Sequence, residues 1–444
     1  MTADMTRKQK RDLIKNKNIF KELVRVVKHF FPELIERLAR VKDWRDTRYT
    51  TYQTDELLIT ILIGYMLGVG SMRNVSEKFN KDECIENIRQ VLKKYDIEDI
   101  PHYDTINDFL ELLSVKELED LRTYMIKSFI EKRCFESFKF LNKYWLVAID
   151  ATGLYKFDER HCEHCLTSTF NKGTDKEYTI YYHKVLEAKL IIGDMVFSIE
   201  TEFIENEKPD VEKQDCELNA FERLAEKMKN RFKRLPICIL GDSLYACERL
   251  FLICEKHNWK YIVRFKEGRI KSVAEDFESI KKIESIQLTV ENQGIKDTFT
   301  WTNNIEYNNR NLNLLEMTEL IDNESTKFLW ISSINVTEKN AEEIAYAGRG
   351  RWKIENQGFN VQKNGDYKLQ HLYSENYNAM KNHYLICQMA HTIRQLLENG
   401  IEYLKELKIS LKNISFELQE TFRHKILTID DILETEKRTQ IRFL

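Results

Sequence analysis

The run Tyr144-Trp145-Leu146-Val147-Ala148-Ile149-Asp150 decides the fold. Six apolar residues lead into a carboxylate, and Gly153 follows closely enough to predict a turn. An unbroken apolar run of this length marks a strand covered on both faces. The pattern returns at Leu235-Pro236-Ile237-Cys238-Ile239-Leu240, which runs into Gly241-Asp242. Between the two, Tyr178 to Ile192, a turn at Gly193-Asp194 and Met195 to Phe203 predict a strand pair. Residues 215–233 predict a helix with Leu218, Phe221, Leu224, Ala225 and Met228 on one side. Ala246 to His257 reads as another helix, and Tyr261-Ile262-Val263 as another strand. Strands alternating with helices imply a mixed α/β sheet, whose strand ends gather ligands. One aspartate at a strand end is as often a turn residue or helix cap. Two of them call for a search for a third acid.

That acid lies in Y-A-G-R-G-R-W-K-I-E-N-Q-G-F-N-V-Q-K, residues 346–363. Trp352 and Ile354 read as buried, and Glu355 offers the carboxylate. Arg351 stands four residues earlier, which puts the two on one helical face. Gln362, seven beyond Glu355, falls on that face too, and Lys363 lies about 80° round from Glu355. Taken alone, this is an amphipathic helix with a surface ion pair. Taken with Asp150 and Asp242, it completes a set of three carboxylates able to hold two divalent cations. Mg2+ prefers such oxygen ligands, and a pair of ions can clamp an in-line displacement at phosphorus. Arg349, Arg351 and Lys363 would grip phosphates, making binding salt-dependent. The interval before this block is strand-like: Ile286 to Val290, Asp297 to Thr302, Leu312 to Met317 and Phe328 to Ser332 predict a β-rich insertion. Trp301 and Trp330 lie within it and read as core, with stacking on an unpaired base as the other reading.

Composition frames the rest. The chain has 444 residues, 32% charged and 42% hydrophobic, with four prolines and fourteen glycines, which suits several globular domains without long linkers. A net charge of -3 gives no overall bias toward nucleic acid. Residues 1–50, however, carry twice as many Lys and Arg as Asp and Glu. They read either as a basic arm for phosphates or as a solvated helical face. Nine scattered cysteines make no disulfide framework, which predicts a reducing cytoplasm. No signal-peptide core opens the chain. The longest apolar run, Leu57 to Val69, falls short of the ~20 residues a bilayer needs and predicts a buried helix. Residues 1–130 look helical, 376–407 predict one long helix, and the tail to Leu444 reads as helical and peripheral.

One further cluster stands apart. His161-Cys162-Glu163-His164-Cys165 places two cysteines at the spacing of half a zinc site, with two histidines beside them and His183 available from the next strand. No second Cys-x-x-Cys completes it, so a structural or DNA-facing loop is the competing reading. His257, His383 and His391 read as core or surface residues.

The pieces A-I-D-A-T-G (148–153), I-L-G-D-S (239–243) and R-W-K-I-E-N-Q-G-F-N-V-Q-K (351–363) resemble bacterial insertion-sequence transposases of the DDE class, over roughly residues 140–400. The last piece is similar to the Tyr-Arg-Glu-Lys motif group. The resemblance implies an RNase H-like mixed sheet with flanking helices, interrupted by a β-rich insertion and preceded by an all-helical region. It divides the chain into a helical DNA-binding region (1–135), a catalytic domain in two parts (140–264 and 341–400), the insertion (265–340) and a helical tail (401–444). It implies Asp150, Asp242 and Glu355 as catalytic residues binding Mg2+ or Mn2+, with Tyr346, Arg349, Arg351 and Lys363 on DNA. It also implies cutting at transposon ends, joining of the 3′-hydroxyl to target DNA, a homodimer on double-stranded DNA, and a nucleoid-associated cytoplasmic protein with no membrane part. Two positions depart from the motif. Gly348 stands where its tyrosine falls and Gln362 where its lysine falls; Tyr346 and Lys363 are the nearest substitutes. A metal-dependent nuclease of the same fold and an inactive DNA-binding relic are the alternatives.

Overall fold

The computed structural model describes every residue except 1–5, 7, 10, 11, 13–16, 210, 267, 284, 285, 293, 323, 407, 408, 438, 439 and 444. The chain forms two compact units, one of residues 136–358 and one of residues 1–135 with 359–444.

The first of these is built on a ten-stranded sheet. Its strands are β1 (Trp145–Phe157), β2 (Leu166–Phe170), β3 (Tyr178–Ile192), β4 (Met195–Ile204), β5 (Ile237–Gly241) and β6 (Lys260–Arg264). They are followed by β7 (Ile286–Asn292), β8 (Ile295–Tyr307), β9 (Arg310–Ile321) and β10 (Glu324–Ser332). The order is β2-β3-β1-β5-β6-β10-β9-β8-β7, with β4 also on β3. β1, β5 and β6 run parallel, and every other pairing is antiparallel. β4 and β5 are buried at every position: β5 as its unbroken apolar run requires, β4 with Ser198, Glu200, Thr201 and Glu202 buried among its apolar residues. The helix Glu217–Arg231 packs on β3 and β4 through Ala220, Phe221, Leu224, Ala225 and Met228. Glu248–His257 packs on β6. This is an RNase H-like mixed sheet with flanking helices.

Two details differ from the expectation. β1 does not turn at Gly153. It runs on to Phe157, with its register against β3 shifting between Gly153 and Lys156. β3 is long enough to go on pairing with it, so Asp150 lies inside a strand rather than at its end. The β-rich insertion forms no sheet of its own: β10 pairs with β6 and carries β9, β8 and β7 outward as an extension. Trp301 and Trp330 are buried, in line with the core reading.

The helical unit is organised around Thr54–Met66 and Tyr377–Gly400, which pack together. Both are buried nearly all round; the first is apolar on every side, whereas the second buries Asn382, Gln388 and Arg394 with hydrogen bonds. His383 sits at this contact, bonded to the Tyr65 hydroxyl, and burial pulls its pKa down to about 3. His391 is buried in the same unit, and His257 is buried in the other. The expected long helix stops at Gly400, and a short helix, Glu402–Glu406, follows. The tail is not peripheral. Leu411–His424 buries Ile414, Leu418 and Phe422, and Phe422 packs on Phe20 and Phe79. The basic arm lies partly outside the described residues, at Arg7, Lys10, Arg11 and Lys15. Beyond it Lys21, Arg25, Lys28, Arg37, Arg40, Arg45 and Arg48 each pair with an acid of this unit. No helix among the described residues is long and apolar enough to cross a membrane, and all nine cysteines are free.

Candidate active site

Strand register does most of the assembly. β1 and β5 pair in parallel with Ala148 opposite Leu240. The pairing ends there; carried on by two residues, the same register would set Asp150 beside Asp242, the residue that follows β5. Asp242 closes β5 and caps the turn Ser243–Tyr245, its Oδ1 accepting from Leu244 N at 2.8 Å. Asp150 Oδ1 accepts from Ala151 N at 2.9 Å. Its Oδ2 accepts from Arg351 Nη1 at 2.8 Å.

Electrostatics confirm the proximity. Burial pushes the Asp150 carboxyl up to about 6; Asp242 and Glu217 push the same way, and the Arg351 guanidinium pulls against them. Glu217, in the first turn of its helix, is ion-paired to Lys184. Tyr245 completes the acid end. Its hydroxyl is buried without a hydrogen-bond partner among the described residues. Burial first, then Glu217, Asp150 and Asp242, hold it well above the ordinary tyrosine range. Neither Glu217 nor Tyr245 was legible as a site residue, since nothing in their spacing links them to either aspartate.

The segment that carries Glu355 is placed by a different route. The chain leaves the helix Ala341–Arg349, turns at Arg351 and enters a π-helical turn, Ile354–Phe359. Lys353 Nζ bonds Gly193 O at 2.7 Å and Asp194 Oδ1 at 2.9 Å, tying this segment to the β3–β4 turn. At the other end Gly358 lies against Lys189 and Val196, so closely that an added Cβ would stand 3.4 Å from Lys189 Cδ. Lys189 pairs with Ala148, two residues from Asp150. Directly paired residues share a face and alternate residues return to it. The π-helical turn therefore lies on the face of the sheet that carries Asp150. Glu355, half-buried, sits between the Arg351 and Gly358 anchors. π-bulges of this kind recur at functional sites.

The rest of the motif block departs from its helical reading. Arg351 is in a turn and the next residues are partly π-helical, so face-sharing at four and seven residues does not apply. Trp352 is exposed, not buried, while Ile354 is buried as expected. Gln362 is buried in the helical unit, bonded to Gln388 and His391. Lys363 belongs to the same unit, its ammonium 5.9 Å from the Phe359 ring. Tyr346 is half-exposed and donates to Asp297 Oδ2 at 2.7 Å, a bond that pushes its pKa up to about 12. Gly348 has a packing reason. A Cβ there would stand 2.5 Å from Trp330 Nε1, so the indole fills the space a tyrosine would need.

Beside Asp242 opens a cleft of about 300 Å³ lined by Arg264, Lys266, Arg349 and Arg351, with Phe328 and Trp330 as apolar wall and Trp352 at its side. Arg349 pairs with Glu319 at 2.6 Å and lies over Phe328. Arg264 lies over Phe328 and Trp330, and its Nη1 is buried with no hydrogen-bond partner among the described residues. Burial, then Arg351, pull its pKa down. Four cations crowded against an aromatic wall make a receptor for an anion. Arg264 and Lys266 escaped sequence reasoning, although the basic R-F-K following a predicted strand was a signal for them.

A family model described as "Transposase DDE domain" matches residues 142–393, more than half of the chain. A second, described as "DDE_Tnp_1-associated", matches residues 35–125. No curated protein matches the chain.

Proposed function

Because the chain belongs to the DDE transposase family, whose members act on DNA and generally depend on divalent metal, we propose that it cuts DNA at transposon ends and joins the freed 3′-hydroxyl to target DNA, with Asp150, Asp242 and Glu355 as catalytic carboxylates. The observation that carries this is the parallel register of β1 and β5, which levels Asp150 with Asp242. The donors fit a hard divalent cation: they are carboxylate oxygens, and burial, with Asp242 and Glu217 adding to it against the pull of Arg351, makes the Asp150 charge costly without a cation. Mg2+ or Mn2+ held by the three carboxylates would act as Lewis acid toward the attacking and leaving oxygens of an in-line displacement.

The chain's own groups do the rest. Arg351, bonded to Asp150 Oδ2, stands beside the acids as a guanidinium for a phosphate at the reacting position. Arg264, Lys266 and Arg349 hold the DNA backbone in the cleft beside Asp242. Trp352, exposed at the cleft, offers a face for a base unstacked at the cut. Tyr245 stays protonated and excludes water behind the acids. Both reacting oxygens belong to DNA or water, so no covalent protein intermediate forms. Joining two ends calls for two copies of the chain on DNA. Within the family, the Tyr-Arg-Glu-Lys grouping rests on Arg351 and Glu355.

A strand-transfer assay tests the proposal. An end fragment with a free 3′-hydroxyl, mixed with plasmid and Mg2+ or Mn2+, should give covalently joined product. Nicking without joining would leave a nuclease of the same fold.

A further inference from the structure

The turn leaving β1 gathers a second set of donors, remote in chemistry from the acids. Cys162 Sγ lies 3.7 Å from Cys165 Sγ and 3.5 Å from His183 Nε2, and Cys165 Sγ lies 3.6 Å from the same nitrogen. Register explains the meeting. β2 and β3 pair with Leu166 opposite Tyr182, so Cys165, one residue before, falls beside His183, one residue after. Cys165 and His183 are buried, and Cys162 is partly exposed.

These separations suit one ion. Zinc–sulfur bonds of about 2.3 Å and a zinc–nitrogen bond of about 2.05 Å at the tetrahedral angle set two sulfurs about 3.8 Å apart and sulfur about 3.6 Å from nitrogen. A disulfide instead needs its sulfurs about 2.05 Å apart. The turn also supplies a donor to sulfur: Cys162 N donates to Cys165 Sγ at 3.4 Å. Zinc binds thiolates, so its binding would displace the thiol protons. The neighbouring histidines are engaged elsewhere. His164 Nδ1 is 2.9 Å from Asn206 O, and His161 stacks on Phe157 with ring centroids 4.2 Å apart.

We propose that Cys162, Cys165 and His183 bind one Zn2+ ion, with water at the fourth position on the partly exposed Cys162 side. The ion clamps the β1–β2 turn to β3, the strand that also pairs with β1 at Asp150. It is a structural site, separate from the carboxylates.

The experiment uses the full chain, expressed with zinc and dialysed extensively without chelator. Elemental analysis should find about one zinc per chain. Replacement by Co2+ should give the thiolate-to-cobalt charge-transfer band and the intense visible bands of a tetrahedral ion. The double variant Cys162→Ser/Cys165→Ser and His183→Ala should each lower zinc at least tenfold, whereas His164→Ala should keep it. Should either of the first two fold poorly, the wild-type cobalt spectrum still decides. Wild-type protein without zinc, a Cys162–Cys165 disulfide in it, a cobalt spectrum lacking the thiolate band, or zinc lost in His164→Ala would overturn the assignment.

Discussion

The strands that carry Asp150 and Asp242 and the segment that carries Glu355 reach one face of one sheet by unlike means. For the aspartates, two apolar runs became adjacent parallel strands, and backbone pairing alone levelled the carboxylates. For the glutamate, backbone periodicity failed. The segment is positioned by the Lys353 ammonium on the β3–β4 turn, by the packing of Gly358 on Lys189 and Val196, and by a π-helical turn. Strand pairing tolerates side-chain change, because its bonds are main-chain. Anchored segments depend on particular side chains and on the space left for them.

The largest expected effect tests whether the two halves act as one site. Asp150→Asn, Asp242→Asn and Glu355→Gln should each lower cleavage by roughly 10³-fold or more, since each removes a carboxylate that would hold a divalent cation, and the cation would offset several kcal/mol of developing negative charge. DNA binding, measured by gel shift, should remain. Cleavage surviving in Glu355→Gln alone would split the comparison and remove the anchored segment from the chemistry.

Next comes packing. Gly348→Tyr restores the motif residue but drives a side chain into Trp330. It should cost about 3 kcal/mol or more in urea unfolding, as overpacking does. A neutral result would mean that Trp330 can yield and that Gly348 is not held by packing.

The strand half makes a pH prediction for metal-free protein. Burial raises the Asp150 carboxyl from its ordinary value to about 6, so the folded state holds its proton more tightly than the unfolded chain. Between those values the folded state binds more protons, and stability falls as pH rises. The shift of roughly two units corresponds to about 3 kcal/mol, or about 2 kcal/mol once partial exposure is discounted. In EDTA, Asp150→Asn should therefore be more stable than wild type at pH 7 and lose that advantage toward pH 4. Equal stability at both pH values would contradict the buried charge. Divalent metal should stabilise wild type more than the variant.

The smallest effect concerns the cleft. Arg264→Ala should weaken DNA binding and reduce the slope of log affinity against log salt by about one. Lys363→Ala, in the other unit, discriminates between motif and cleft: a larger slope change there than at Arg264 would favour the motif's own choice of residues.

Much of this molecule was legible beforehand, and the reason is local. The strands β1 and β5 advertise themselves by apolar runs, and β3, β4 and β6 by their β-branched and aromatic content between turn signals, so these strands, the helices between them and the two aspartates followed from the chain's own pattern. The strands of the insertion followed from alternation in the same way, although not their addition to the edge of β6. Arg351 and Glu355 were found by motif, but their geometry was not, because a π-helical turn leaves no periodic trace.

By itself the order of residues determined which segments must be buried and which groups could bind metal, because burial and donor type are properties of single residues. Only the tertiary structure decided that Asp150 stands level with Asp242, that Arg351 turns to Asp150, and that Arg264 and Lys266 line the cleft. It likewise brought Cys165 beside His183. Those meetings depend on strand register and on close packing between distant segments, and no short stretch of chain contains either.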